Sequence, residues 1–168
     1  MKKALFTLLL AGFICFTASA QTQTRVGGLL GFGTDSDYGN VGIGGIAEFL
    51  LNEKMAISPS LVFFFPKDES GVKFSLWELN ANFNYYFLDE SSVSLYGLAG
   101  LIFQGAKVKY EYLGDSYSDS DTNVGLNLGI GSNFHVSNDK ILPFAELKYV
   151  ITDADQLEIF AGVKFNLK

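Results

Sequence analysis

The sequence predicts an all-β fold, an eight-stranded antiparallel up-and-down β-barrel, and three observations support this prediction. Apolar side chains alternate with polar or small ones at a period of two along most of the chain. No segment after residue 20 shows the apolar period of about 3.6 residues that marks an amphipathic helix. Short turns and longer loops also alternate along the chain, as an up-and-down barrel requires, because its successive connections lie at opposite ends.

The first twenty residues predict a cleavable export signal. Two lysines precede an apolar run from Ala4 to Phe16, and Ala18-Ser19-Ala20 supplies the small residues that a signal peptidase reads. The run is shorter than the roughly 20 residues that a membrane-spanning helix needs. We therefore expect residues 1–20 to be removed and residues 21–168 to form one barrel domain.

Eight segments show the alternation expected of strands. The clearest runs from Trp77 to Leu88, where apolar side chains occupy one face and Glu78 and three asparagines occupy the other. Short polar turns follow the second, fourth and sixth segments, and longer acidic loops follow the others, the longest from Lys107 to Thr122. The eight predicted strands are residues 25–34, 41–52, 55–66, 73–88, 93–106, 123–136, 140–152 and 157–167.

The apolar face is predicted to point outward, toward lipid, which makes the barrel transmembrane. It carries no charged residue between the loop ends, and it holds more aromatic rings than the narrow interior of an eight-stranded barrel could contain. The opposite face is rich in glycine and asparagine, whereas a water-exposed surface is normally rich in lysine and glutamate. The expected outward rings are Phe32, Phe49, Phe63, Phe65, Trp77, Phe83, Tyr85, Phe87, Phe103, Phe134, Tyr149 and Phe165.

Seven charged residues fall on the inward face of the predicted strands. An unpaired ion buried in a narrow lumen costs several kcal/mol, so these groups must pair with one another or with amides. The sequence therefore predicts a packed polar core with an ion network and not an open pore. The predicted network comprises Arg25, Glu48, Glu78, Glu146, Lys148, Glu158 and Lys164.

This architecture, which covers residues 24–168, resembles the small eight-stranded outer-membrane barrels, similar to OmpX, the membrane domain of OmpA and the porin-family "outer membrane protein beta-barrel domain". The resemblance implies a place in the outer membrane of a Gram-negative bacterium, contact with its lipids and lipopolysaccharide, and no cofactor. It also implies insertion by the barrel assembly machinery. Because family members usually end in an aromatic residue that this machinery recognises, Phe165 or Leu167 would serve that purpose here.

The charges outside the strands predict which partners one rim of the barrel can have. The net charge of −6 makes a nucleic-acid surface improbable, because neutralising phosphates needs clustered lysine and arginine.

The alternation continues from Lys107 to Tyr112, so we expect the fifth strand to extend past the bilayer as a hairpin arm. Lys107 and Lys109 are then predicted to contact lipopolysaccharide phosphates just above the hydrocarbon.

Residues that could support catalysis or bind metal are scarce. The chain has one histidine and one cysteine, and we expect His135 to be structural. Glu78 and Glu146 lack substrate access inside a filled barrel, so ion pairing explains them better than acid–base catalysis. Asp119 to Asn123 resembles the opening of a calcium loop, but Val124 occupies the position where glycine is needed, so no metal site is predicted.

The sequence thus favours a non-enzymatic small outer-membrane barrel with a packed polar lumen, which contributes to envelope structure or to surface interaction through acidic extracellular loops. Three alternatives remain open. The barrel could be a narrow channel for ions or small solutes, or a lipid A-modifying enzyme. It could also be a soluble, lipocalin-like binder whose apolar face points inward to hold a ligand.

Overall fold

The computed structural model describes residues 23–34, 40–69, 72–112, 115–136, 140–153 and 155–167, which form one closed antiparallel sheet. The predicted export signal, residues 1–20, lies outside the described residues. In the described part of the chain, no helix is long and apolar enough to cross a membrane. The strands are β1 (Thr24–Gly33), β2 (Val41–Asn52), β3 (Met55–Phe64), β4 (Lys67–Glu69), β5 (Val72–Asp89), β6 (Val93–Tyr112), β7 (Asp115–Phe134), β8 (Ile141–Ile151) and β9 (Gln156–Leu167).

The eight long strands close into a barrel. Each is antiparallel to its neighbours in the chain, β1 pairs with β9, and β3 pairs directly with β5. The three-residue strand β4 adds only to the outer end of β5. Every long strand therefore has a partner on both sides, which leaves the sheet no open edge in the bilayer. The predicted eight-stranded antiparallel barrel is confirmed.

The apolar face of the barrel points outward. On β5 the side chain of Trp77 is 38% exposed, whereas that of Asn80 is fully buried. Ten of the twelve rings predicted to face lipid are exposed, and Phe49 and Phe103 are half-buried. Because strand side chains alternate between the two faces, the polar set of each strand is directed into the lumen.

Two connections that we expected to be loops contain regular structure. The acidic loop predicted between the third and fourth segments, residues 67–72, includes β4, and the predicted loop from Lys107 to Thr122 is wrong over most of its length. There β6 continues to Tyr112, as the alternation indicated, but β7 begins at Asp115 and not near residue 123. The two strands pair from Tyr112↔Asp115 to Val93↔Phe134, so they form one long hairpin.

Candidate functional site: the barrel lumen and the outer rim

The barrel places all seven of the charged residues expected in the lumen in its interior. None of them is more than 9% exposed. They lie in two groups, one near each end of the barrel. The inner group lies near the short turns, which face the periplasm in barrels of this kind, and the outer group lies near the long connections. The inner group comprises Arg25, Glu48, Glu146 and Lys164, and the outer group comprises Glu78, Lys148 and Glu158.

The inner group is built around the carboxylate of Glu48 on β2. Its Oε2 accepts a hydrogen bond from Arg25 Nη1 at 2.9 Å, and its Oε1 lies 3.1 Å from Lys164 Nζ. Tyr86 Oη and Asn84 Nδ2 on β5 also donate to Oε1, at 2.7 and 3.2 Å. Two cations and two neutral donors therefore surround one buried anion, which compensates for its loss of hydration.

The remaining polar groups of the inner half extend this arrangement. Asn133 donates to Tyr86 Oη at 2.9 Å and accepts from Lys164 Nζ at 3.3 Å. The Lys164 ammonium also lies 4.6 Å from the centroid of the Phe144 ring, a cation–π contact. Glu146 accepts a hydrogen bond from Tyr96 Oη at 2.8 Å. The inner half of the lumen is thus filled by mutually bonded side chains.

The outer group contains two carboxylates and one ammonium group. Lys148 Nζ lies 2.9 Å from Glu158 Oε2, and both side chains are almost completely buried. Gln156 Nε2 donates to Glu158 Oε1 at 2.9 Å and to Glu78 Oε1 at 3.4 Å, while Gln104 donates to Glu78 Oε1 at 2.9 Å. Among the described residues, Glu78 Oε2 has no hydrogen-bond partner. Amides, and not a cation, therefore contact Glu78 directly.

The lumen also contains large apolar side chains, which the sequence analysis did not identify. Phe160 and Tyr96 are among the largest fully buried residues, and the Phe160 ring lies 4.4 Å from the Lys148 ammonium. A β-carbon at Gly31 would overlap the Phe160 ring, so this glycine makes room for it. The sequence feature that could have revealed these buried side chains is a run of adjacent apolar residues within a strand. One buried apolar cluster comprises Leu29, Ile46, Val62, Phe64, Leu76, Phe144 and Phe160.

His135 lies just after β7 and holds the neighbouring turn together. Its Nε2 is 2.6 Å from Ser94 Oγ and 3.6 Å from Asp89 Oδ1, and its backbone N–H donates to Ser92. Ser94 Oγ donates its single proton to Asp89 Oδ1. These contacts tie the end of β7 to the turn between β5 and β6. This geometry is that of a structural clamp.

The outer rim carries a groove that is lined by residues from both faces of the sheet. Its volume is about 550 Å³. Lys107 lies on this groove and is exposed, while the side chain of Lys109 lies outside the described part of the structure. The described residues contain no cluster of three or more histidine, cysteine or acidic side chains suited to a metal ion. The groove is lined by Ile43, Phe63, Phe64, Phe65, Pro66, Ser75, Leu76, Trp77, Gly105, Ala106, Lys107, Ser120, Asp121 and Thr122.

A closed eight-stranded sheet with an apolar exterior and a filled polar interior defines a transmembrane β-barrel, and comparison with known proteins gives its family. The family model described as "Outer membrane protein beta-barrel domain" matches residues 6–166. The chain belongs to this family, and its place is the outer membrane of a Gram-negative bacterium. No curated protein sequence matches the chain.

Solved structures of outer-membrane proteins share the fold at low sequence identity. The N-terminal β-barrel domain of Pseudomonas aeruginosa OprF is 16% identical, with a TM-score of 0.63, and the match covers 89% of this chain and 100% of that one. Neisserial surface protein A is 17% identical, with a TM-score of 0.65 and coverage of 88% and 98%. Ail, the attachment invasion locus protein of Yersinia pestis, is 18% identical, with a TM-score of 0.56 and coverage of 86% and 96%.

Proposed function

We propose that this protein is a non-enzymatic envelope barrel whose filled lumen makes it a stable support for a surface-exposed arm. The observation that carries this proposal is the length of the β6–β7 hairpin. Strand β8 joins β7 only from Leu126 onward, whereas β6 remains paired with β7 as far as Asp115. The segment from Asp115 to Gly125 spans roughly 30 Å at about 3.3 Å per residue. The hairpin therefore rises well above the closed part of the barrel.

The arm and the neighbouring connections are acidic, which indicates the chemistry of an extracellular partner. Asp119 and Asp121 on β7 are exposed, and Asp153 lies in the exposed connection between β8 and β9. A negatively charged rim attracts positively charged partners and repels anionic ones, with a strength that falls as salt rises. We infer that the arm takes part in surface interaction with a cationic partner. The names of Neisserial surface protein A and of the Yersinia pestis attachment protein, which share this fold, support a surface role.

The experiment that tests the arm uses a cationic protein, lysozyme, as the probe. The protein is reconstituted in lipid nanodiscs, and lysozyme binding is measured at low and at physiological ionic strength. We expect the double variant Asp119→Asn, Asp121→Asn to weaken binding, whereas Glu53→Gln at the opposite end leaves it unchanged. Equal binding by the two variants would contradict a role for the acidic arm.

The filled lumen also bears on the channel and enzyme alternatives. Asn80 and Asn127 meet across the lumen at 2.7 Å, and Lys148 donates to the same Asn80 oxygen at 3.2 Å. These contacts occupy the path that an ion would take. We therefore expect no steady conductance in planar bilayers, and openings that vanish in Lys148→Met would contradict the proposal. For the lipid A-modifying enzyme alternative, the test is the mass spectrum of lipid A from a deletion strain. We expect this spectrum to be unchanged if the protein is not an enzyme.

Two further partners belong to this proposal. The barrel assembly machinery would insert the chain, with Phe165 at the outward face of the last strand as the aromatic residue it contacts. Outer-membrane lipids and lipopolysaccharide would surround the exposed rings. The seven charged lumen residues would act together to fix the barrel in one register.

A further inference from the structure

The outer group of the lumen contains more buried carboxyl groups than cations. Glu78 on β5 and Glu158 on β9 are both completely buried. Lys148 on β8, the one cation of the group, lies 2.9 Å from Glu158, so Glu158 has its counter-ion. In the part of the chain that the structure describes, no cation contacts Glu78. An ionised Glu78 would therefore be a buried anion without a counter-ion, which is a costly arrangement.

The two carboxyl groups are direct neighbours. Gln156 Nε2 donates to an oxygen of each, at 2.9 Å to Glu158 Oε1 and at 3.4 Å to Glu78 Oε1. The side chains of Glu78 and Glu158 are also in hydrogen-bond contact with each other. An ionised carboxylate only accepts hydrogen bonds, so a hydrogen bond between two carboxyl groups requires a proton on one of them. Two ionised groups in such contact would instead repel each other.

The atom of Glu78 that is able to carry this proton is Oε2. Glu78 Oε1 accepts hydrogen bonds from Gln104 on β6 and from Gln156 on β9. Oε2 is buried and accepts no hydrogen bond from any described residue. On the other neighbouring strand, β3, the residue opposite Glu78 is Val62, which is apolar. A proton on Oε2 would turn this unpartnered atom into a donor, and the neighbouring Glu158 carboxylate would accept from it.

We propose that Glu78 and Glu158 form a proton-binding site in the outer half of the lumen, in which Glu78 keeps its proton at neutral pH and donates it to the Glu158 carboxylate. Among the described residues, Lys148 contacts Glu158 and not Glu78, which assigns the negative charge to Glu158 and the proton to Glu78. The outer group then has one anion, one cation and one neutral acid, so its net charge is zero. This inference concerns the lumen and does not depend on the role proposed for the arm.

The proton can be observed by infrared spectroscopy, because the carbonyl stretch of a protonated carboxylic acid is separate from the bands of carboxylates and of protein amides. The protein is reconstituted in vesicles of ether-linked phospholipid, which have no ester carbonyl to obscure this region. Exposed aspartates and glutamates are ionised at pH 7 and give no such band. We expect one band at pH 7, which shifts to lower frequency in protein folded in D₂O and is lost completely in Glu78→Gln.

Two further variants and one change of salt complete the test. Glu158→Gln should shift or remove the band, because the acid would then donate to a neutral amide. Glu146→Gln, which changes a buried glutamate of the inner group, should leave the band unchanged. Replacing sodium with choline at constant ionic strength should also leave it unchanged, since a proton and not a sodium ion neutralises Glu78.

Four results would each overturn the proposal. The first is the absence of a band in the unmodified protein at pH 7. The second is a band that persists in Glu78→Gln or is the same in Glu158→Gln as in the unmodified protein. The third is loss of the band in Glu146→Gln, which would place the proton in the inner group. The fourth is a band that appears only after sodium is removed, which would show that a metal ion occupies this site.

Discussion

Two chemically identical substitutions in the lumen should differ strongly in their effect on stability. Glu48 and Glu78 are both completely buried on the inner face of the barrel. Among the described residues, Glu48 has the only carboxylate that contacts Arg25 and Lys164, at 2.9 and 3.1 Å, so Glu48→Gln leaves these two buried cations without a described counter-ion. Removing one partner of a buried ion pair costs about 3–5 kcal/mol, and the loss of two such contacts places this variant at the upper end.

Glu78→Gln should change the free energy of unfolding by no more than about 1 kcal/mol. The hydrogen bonds that Glu78 accepts come from the amides of Gln104 and Gln156, and a glutamine carbonyl oxygen can accept both. Lys148 keeps its contact with Glu158. The substitution therefore removes a carboxylate that no cation contacts, and it sets no cation free.

The assay is reversible unfolding in urea from phospholipid vesicles, followed by Trp77 fluorescence, with the midpoint and slope compared between variants. The Trp77 side chain is exposed on the outer face, whereas the side chains of Glu48 and Glu78 are buried in the lumen. Equal losses of stability in the two variants would refute the reasoning. A larger loss of stability in Glu78→Gln than in Glu48→Gln would also refute it. Direct contact with a cation would then not be what decides how much a buried carboxylate contributes to stability.

Three further outcomes follow from the described contacts. Gly105→Ala should displace the Trp77 ring, because a β-carbon at Gly105 would overlap the indole. It should shift the emission maximum of Trp77 and cost about 1–3 kcal/mol, and an unchanged emission spectrum would argue against the close contact. Phe83→Arg on the lipid face should destabilise the barrel by about 2–4 kcal/mol in the same urea assay, whereas Asp119→Arg on the arm should stay within about 0.5 kcal/mol. His135→Gln should lower stability by about 1 kcal/mol and leave the mass spectrum of lipid A unchanged, and altered lipid A would contradict the structural clamp.

The barrel and the direction of its two faces could be predicted because strand periodicity is a local property of the sequence. Where the bilayer requires apolar side chains at every second position, as from Trp77 to Leu88, the alternation is clear. The outer part of β7 could not be found in this way. From Asp115 to Asp121 every residue except Tyr117 is serine or aspartate, so no alternation of apolar and polar side chains marks this segment as a strand. Only its pairing with β6 defines it as a strand.

The inward direction of the seven charged lumen residues could be predicted, but their partners could not. Alternation shows that Lys164 points inward, yet its contact with Glu48 joins residues 116 positions apart and depends on barrel closure. The apolar lumen residues were missed for a related reason. In the run Phe63-Phe64-Phe65 both faces are apolar, so the pattern does not show that Phe64 alone is buried.

The position of Glu48 makes its carboxylate a test of correct barrel assembly. Its two cations come from the first and last strands of the chain, and its neutral donors come from β5, which lies beyond β3 on the other side. A sheet still open between β1 and β9 would not bring both cations to it. A slip of one residue at that seam would turn Lys164 toward the hydrocarbon and leave Arg25 as the one described cation at the Glu48 carboxylate. The same group that stabilises the finished barrel therefore penalises a barrel that closes out of register between its first and last strands.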